Sequence, residues 1–197
     1  MSEPLTREAI VTVARRLISE VGFDQMSLRR LAKELGVTAP ALYAHVDDKG
    51  DLVAALAETG FQELLARYAE LETDDPLERM RAEIGAYVAQ ALDEPHIFRV
   101  MFHFPPHALN VPGAAIELPA ASAAFESGLE TVTRAVATGA VHPDRDPMMV
   151  AMTLWTTAHG LATVMLLGIP ADAAGRAALQ RHVVSAVLTG LAAPPEV

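Results

Sequence analysis

Apolar residues recur at the spacing of an α-helix along almost the whole chain of 197 residues. The first run is amphipathic and ends at Gly22, a residue that favours a helix end. Its apolar positions are Ile10, Val13, Ala14, Leu17, Ile18 and Val21. Comparable runs, opened by capping residues or prolines, follow along the chain, and none alternates as a β-strand would. The pattern predicts an all-α protein of about nine helices.

Capping residues, prolines and glycines also set approximate bounds for the later helices. The predicted helices cover residues 48–71, 76–92, 118–138, 147–168 and 173–191. Residues 94–116 are predicted to be irregular, because a short apolar segment is followed there by Pro105, Pro106 and Pro112.

Charge is unevenly distributed along the chain. The net charge is −10, from 15 basic and 25 acidic side chains. Residues 1–50 contain seven of each sign and sum to zero, so the whole acidic excess lies in residues 51–197. This difference predicts two domains with different roles, 1–50 and 51–197. The absence of cysteine excludes disulfides and a cysteine-ligated metal site.

A helix-turn-helix pattern lies within residues 25–56. Ser27 and Thr38 are placed to cap two short helices, and Gly36 gives the backbone freedom for a sharp turn between them. The outward face of the second helix, residues 38–44, is small, apolar and poor in charge, which is unusual for a solvated surface. An αα-hairpin without a ligand is the alternative. Against it, Lys49 in the first turn of the next helix favours a phosphate nearby.

The segment LRRLAKELGVTAPALYAHVDDKGDLVAAL resembles the DNA-binding signature of the TetR (tetracycline-repressor) family of bacterial transcription regulators. The first helix, AIVTVARRLISEVGF, is similar as well, and Trp155-x3-His159-Gly160 resembles a motif of one subgroup. The resemblance implies an N-terminal three-helix DNA-binding domain, followed by a helical domain that binds an effector and forms a homodimer. It implies DNA contacts for Ser27, Arg29, Thr38, Ala39, Pro40, Ala41, Tyr43, His45 and Lys49.

The resemblance implies a different role for each kind of residue in this set. Tyr43 and Lys49 would contact phosphates, as would the hydroxyls that cap the two helices. Arg29 would reach a guanine edge or a phosphate. Residues 39–41 would face the bases, where apolar groups can pack on thymine methyls but cannot read hydrogen-bond patterns. His45 would either touch the DNA backbone or cap the short helix.

The resemblance also places an effector cavity among the middle helices. The candidate lining is aromatic or otherwise apolar for the most part, which suits a small apolar molecule. It comprises Phe61, Leu65, Met101, Phe102, Phe104, Phe125, Met152, Trp155 and His159. For Trp155 and His159 the alternative is plain core packing. The histidines match no zinc-binding motif, so neither a metal nor a cofactor is predicted.

The stretch 147–171 contains no charged side chain and is long enough to span a bilayer. Its threonines and its acidic flanks, Asp146 and Asp172, favour a buried or interface helix over a membrane span. A two-fold four-helix interface formed by the last two helices would bury it, as the resemblance also implies. The predicted interface residues are Leu154, Ala158, Leu161, Ala162, Val183, Ala186, Val187 and Gly190. The N-terminus lacks a signal-peptide pattern, so the prediction is a cytoplasmic protein without a membrane partner.

Together these features predict a homodimeric regulator, by family habit a repressor, that binds a near-palindromic operator in double-stranded DNA through residues 38–45. A small effector bound within residues 51–197 would release it. Catalysis has little support, because the sequence lacks nucleophile-elbow, phosphate-loop and dinucleotide-binding motifs. The alternative is a helical small-molecule-binding or enzymatic protein with a vestigial DNA-binding domain.

Overall fold

The computed structural model describes residues 4–102 and 118–192, and within these ranges the chain forms nine α-helices and no strand. The helices are α1 (Arg7–Val21), α2 (Leu28–Leu35), α3 (Ala39–Tyr43), α4 (Lys49–Ala69), α5 (Pro76–Asp93), α6 (Pro95–Met101), α7 (Pro119–Ala137), α8 (Pro147–Leu166) and α9 (Ala173–Leu191). The prediction of an all-α fold with about nine helices is confirmed.

Helix α6 lies in the segment that was predicted to be irregular, so that prediction is wrong for residues 95–101. Pro95 occupies the first helical position, where its fixed φ suits a helix and its missing N–H leaves no bond unmade. Ile97, Phe98, Val100 and Met101 are buried on this helix. The rest of the predicted irregular segment, with Phe104, lies largely outside the described residues.

The contacts of the chain divide it into two compact units. One unit consists of Met1–Gln62 and Glu94–Ser122, and the other of Glu63–Asp93 and Ala123–Val197. The first unit therefore extends beyond residue 50 and includes α6. The division into domains at 1–50 and 51–197 stays a prediction.

The first unit is built around α1, whose residues Ile10, Ala14 and Ile18 are completely buried. Helices α2 and α6 both pack against α1. Helices α4 and α6 approach each other closely at Gly60, where an added Cβ would lie 2.8 Å from the sulfur of Met101. Only a residue without a side chain fits that approach unless Met101 moves.

The second unit is dominated by the packing of α5 against α8, with α9 on both. Helix α8 has the length and the apolar composition of a membrane span, with a mean hydropathy of 1.3 over 18 residues. One side of it is nevertheless occupied by the protein's own core, at Val150, Ala151, Leu154, Ala158, Leu161, Ala162 and Met165. Burial of this side accounts for much of its apolar character.

The same burial corrects half of the predicted dimer interface. Leu154, Ala158, Leu161 and Ala162 are at most 8% exposed within a single chain, so they pack the core and offer little surface to a second chain. On α9, Ala186 and Gly190 are exposed, whereas Val183 and Val187 are half-buried. These four stay predicted interface residues.

Candidate nucleic-acid interface

The turn between α2 and α3 is formed by the residues that the sequence assigned to it. The Ser27 hydroxyl accepts a hydrogen bond from the Arg30 amide at 3.2 Å and so caps α2. The Thr38 hydroxyl accepts from the Ala41 amide at 3.3 Å and caps α3 in the same way. Gly36 between them has a φ of 67°, the left-handed conformation that glycine adopts at little cost.

Helix α3 is held by one buried side chain and exposes the others. Leu42 is completely buried, whereas Ala39, Pro40 and Ala41 are exposed and Tyr43 is 54% exposed. Arg29 on α2 is exposed as well. The predicted DNA-contacting side chains of α2 and α3 are therefore accessible to a large partner. The outward face of α3 carries no charged side chain, as the sequence indicated.

Lys49 is turned towards its own chain. Its ammonium donates a hydrogen bond to the carbonyl of Met26 at 2.9 Å and lies 4.5 Å from the centre of the Phe23 ring, a cation–π arrangement. One of its three donors is thus engaged inside the protein, and the role of Lys49 as a phosphate contact stays a prediction.

The sequence did not predict an ion pair that lies beside α3. The guanidinium of Arg7 donates from Nη1 to the carbonyl of His45 at 2.8 Å and to the carboxylate of Asp51 at 2.9 Å. The hydrogen bond from Arg7 holds the pKa of Asp51 below its ordinary value, and the pKa of Arg7 is raised in return. The two residues are 44 positions apart, and no local pattern links them.

The predicted effector-lining residues divide between the two units. In the first unit, the rings of Phe61 and Phe102 meet edge-on with their centres 5.6 Å apart, and the ring centres of Phe98 and Phe102 are 5.1 Å apart. Met101 on α6 is buried in the same unit. In the second unit, Leu65 and Phe125 are half-buried and Met152 is 37% exposed. Phe104 lies outside the described residues.

His159 belongs to a polar cluster in the second unit. Its Nδ1 shares a hydrogen bond with the Tyr87 hydroxyl at 2.9 Å, and the Trp155 ring lies 5.9 Å from its own ring. Burial lowers the pKa of His159, which favours the neutral imidazole. Burial raises the pKa of Tyr87, and a hydrogen bond with Trp155 opposes that shift in part. The sequence did not indicate this contact, because the neighbours of Tyr87 along the chain show no sign of a polar partner.

A second polar cluster lies between α5 and α7 in the same unit. Glu83 is 6% exposed and accepts hydrogen bonds from Arg79 Nε at 2.8 Å and from the Thr131 hydroxyl at 2.9 Å. Arg79 also donates to the carbonyls of Tyr68 and Leu71 at the end of α4. Burial raises the pKa of Glu83, and these hydrogen bonds oppose that shift. The cluster joins α4, α5 and α7, and the described residues contain no group of three His, Asp or Glu suited to a metal.

Comparison with known families assigns the chain to a class. Residues 10–56 match the family model described as bacterial regulatory proteins, tetR family. Residues 80–187 match the model described as the tetracyclin repressor-like C-terminal domain, which alone covers more than half of the chain. The protein belongs to the TetR family, which confirms the resemblance, and this membership supports a DNA-binding transcriptional regulator. Members of the family are generally not enzymes.

Individual relatives agree with that assignment. The class C tetracycline repressor of Escherichia coli is 48% identical over 54 residues, which are 27% of this chain and only a quarter of that protein. A protein of unknown function from Rhodococcus sp. RHA1 is 30% identical, with a TM-score of 0.81 over 94% of this chain and 95% of that one. The TetR protein of Acinetobacter baumannii AYE is 21% identical, with a TM-score of 0.69 over 94% and 96% of the two chains. This last similarity concerns the fold alone.

Proposed function

We propose that the protein is a homodimeric transcriptional repressor of the cytoplasm that places α3 of each subunit in a major groove of its operator. The observation that carries the proposal is the exposed face of Ala39–Tyr43 on a capped helix pair with a glycine at its turn. Two such helices related by a two-fold axis would meet two half-sites about one helical turn apart, which requires a near-palindromic operator.

The proposed dimer uses the exposed sides of α8 and α9. On α8 the exposed residues Met149, Thr153, Thr156, Gly160 and Thr163 fall at helical spacing on one side, and none is charged. On α9 the exposed residues include Ala174, Ala178, Ser185 and Ala186, which are small enough for close helix packing. An uncharged exposed helix face of this length favours a second copy as its cover.

Sedimentation measurements test the dimer. Thr156→Arg places a charge in the middle of the α8 face and is expected to give monomers, because an unpaired charge is costly inside an interface. Thr133→Arg puts the same charge on an exposed position of α7 and should leave the dimer intact. A dimer that tolerates Thr156→Arg would move the interface elsewhere.

The proposed effector is a small, apolar molecule bound within residues 51–197. Two clusters support such a site: the aromatic rings of Phe61, Phe98 and Phe102 in one unit, and Tyr87, Trp155 and His159 in the other. Release from DNA requires only that the effector bind the DNA-competent and the released states with unequal affinity.

Selection from a pool of random DNA duplexes tests DNA binding directly. The wild-type dimer is expected to enrich a near-palindromic sequence, and Tyr43→Ala should weaken binding to that duplex about tenfold or more, since it removes an exposed contact from both heads. Arg81→Ala removes a cation with a 42% exposed side chain from α5. This variant is the control and should bind as the wild type does. Equal binding by Tyr43→Ala would contradict the assignment of α3.

The charge-poor face of α3 favours a second candidate, a small-molecule-binding or enzymatic protein with a vestigial DNA-binding head. Under this hypothesis the selection enriches no duplex even at low salt. Small apolar compounds would still raise the melting temperature, because ligands that bind only the folded state stabilise it.

A further inference from the structure

Helix α3 is too short to hold its own orientation. It has five residues, about one and a half turns, and an isolated helix of that length is unstable in water. Leu42 is the one residue of α3 that is buried, so it makes the inward contact of the helix. The direction of the helix must therefore depend on the contacts made at its two ends.

At the beginning of α3, the turn at Gly36 and the cap at Thr38 fix the chain. Beyond its end, the amides of His45 and Val46 both donate to the carbonyl of Leu42, at 3.0 and 3.2 Å. The carbonyl of His45 then points to Arg7, at the start of α1, and accepts a hydrogen bond from Nη1.

The same guanidinium is anchored on the first turn of α4. Both of its terminal nitrogens donate to the carboxylate of Asp51, a bidentate arrangement that fixes the plane of the group. Asp51 also accepts a hydrogen bond from the Asp47 amide at 3.1 Å, so the carboxylate holds the loop between α3 and α4 as well. Arg7 and Asp51 thus join three segments: the start of α1, the end of α3 and the start of α4.

We propose that Arg7 is a positioning residue for DNA recognition, which holds the end of α3 against α4 through Asp51 and the His45 carbonyl and does not itself contact phosphate. The inference rests on the proposed binding of DNA by α3. If the Arg7–Asp51 pair is lost, the orientation of α3 is held less firmly in both DNA-binding domains of a dimer. A smaller fraction of the molecules then has α3 in the orientation that binds DNA, and the apparent affinity for DNA falls accordingly.

The charges allow a test in which the two roles predict opposite results. Asp51→Asn removes a negative charge that would repel phosphates, so an electrostatic role alone predicts tighter binding. The positioning role predicts weaker binding, because a neutral amide cannot form the bidentate pair. Asp47→Asn is the matched control: it removes the same charge from a residue nearer to α3, whose backbone amide donates to Asp51 and whose carboxylate is not hydrogen-bonded to Arg7 but only attracts it weakly.

The experiment measures affinity for the selected duplex over a range of salt concentrations. Arg7→Gln, Arg7→Lys and Asp51→Asn are each expected to weaken binding by about threefold per head, hence about tenfold for a dimer, as suits an exposed pair. The slope of log affinity against log salt should stay at the wild-type value in the two Arg7 variants. Asp47→Asn should bind as tightly as the wild type or more tightly.

Two results of the binding experiment would overturn the proposal. If Arg7→Lys binds normally while Arg7→Gln lowers the salt slope by about one per head, Arg7 is a phosphate contact, since lysine keeps the charge but not the planar fork. Wild-type affinity in Asp51→Asn would equally contradict it.

Amide hydrogen exchange without DNA separates this inference from the proposed function. The positioning role predicts faster exchange at the His45 and Val46 amides in Arg7→Gln than in the wild type, because their helix end is freed. A wild type that selects no duplex contradicts the proposed function, and the exchange rates then decide whether Arg7 holds α3. Unchanged exchange rates exclude that role.

Discussion

The first 62 residues and the α5–α7 region use the same kind of charge pair in opposite surroundings. Arg7 and Asp51 are 46% and 27% exposed at their side chains, whereas Arg79 and Glu83 are 17% and 8% exposed. An exposed pair adds little to the free energy of folding, but it can fix a local geometry. A buried pair is costly to break, because one charge is left without its counterpart in a poorly solvated place. We therefore expect the exposed pair to fix the orientation of α3 and the buried pair to stabilise the fold.

The largest expected effect tests the buried pair. Glu83→Leu leaves Arg79 without its carboxylate and should lower the free energy of unfolding by about 3 kcal/mol, measured by urea denaturation. Glu83→Gln keeps an oxygen that can accept from Arg79 or Thr131 and should cost clearly less. Equal losses in the two variants would show that the lost charge alone sets the cost and that the hydrogen-bonding oxygen adds nothing to it.

A smaller effect is expected at the other polar cluster of the same unit. Tyr87→Phe removes the hydroxyl that is hydrogen-bonded to both His159 and Trp155 and should lower the free energy of unfolding by about 2 kcal/mol, the usual net value of two hydrogen bonds. Urea denaturation gives the loss, and the nitrogen chemical shifts of the His159 ring report the lost bond. Unchanged ring shifts would mean that the hydroxyl does not bind His159 in solution.

The pH dependence of the exposed pair should be smaller still. The pKa of Asp51 is lowered by Arg7 in the folded protein, so the pair stabilises the fold at neutral pH. That contribution falls as the pH drops below the ordinary aspartate range near 4 and through the folded pKa. The difference in melting temperature between wild type and Asp51→Asn should therefore be largest near pH 7 and vanish in acid. A difference that grows in acid would contradict the pairing.

The smallest effect is predicted for Arg16 on α1. It donates to Glu20 and Glu34 at 3.0 and 2.8 Å, but all three side chains are widely exposed. Arg16→Ala should leave the melting temperature within experimental error, at low and at high salt, because solvent and ions screen such pairs. A clear loss of stability would show that the exposed pairs of this region hold the fold as the buried one does.

Local signals in the sequence were sufficient for the helix pair at α2 and α3. Gly36, Ser27 and Thr38 act over three residues or fewer, and the structure places each where the pattern predicted. Helix α6 was missed because the prolines that follow it dominated the segment, although Pro95 itself is a helix-starting signal. The match of residues 10–56 to the family was likewise predictable, since it depends on these short-range motifs.

Long-range contacts were not predictable, and α8 shows why. A helix without charged residues has no polar side to indicate which face is buried, so Leu154 and Ala158 were assigned to the wrong face. The pairs Arg7–Asp51 and Tyr87–His159 join residues 44 and 72 positions apart, and nothing in their neighbourhoods marks them. The burial of Glu83 was not predictable either, because a glutamate on an amphipathic helix is usually solvated.

The position of Arg7 also matters for how the protein is purified. Arg7 is the first residue of α1 and its side chain is 46% exposed, so an affinity tag fused shortly before that helix can reach the Arg7–Asp51 pair. A tag rich in histidine becomes cationic in mild acid, and an acidic epitope carries carboxylates that compete for the guanidinium. If Arg7 positions α3 as proposed, either tag would alter the affinity for the selected duplex without any change in the protein itself. Removing such a tag by proteolysis and comparing the two forms reports on the same contact without a mutation.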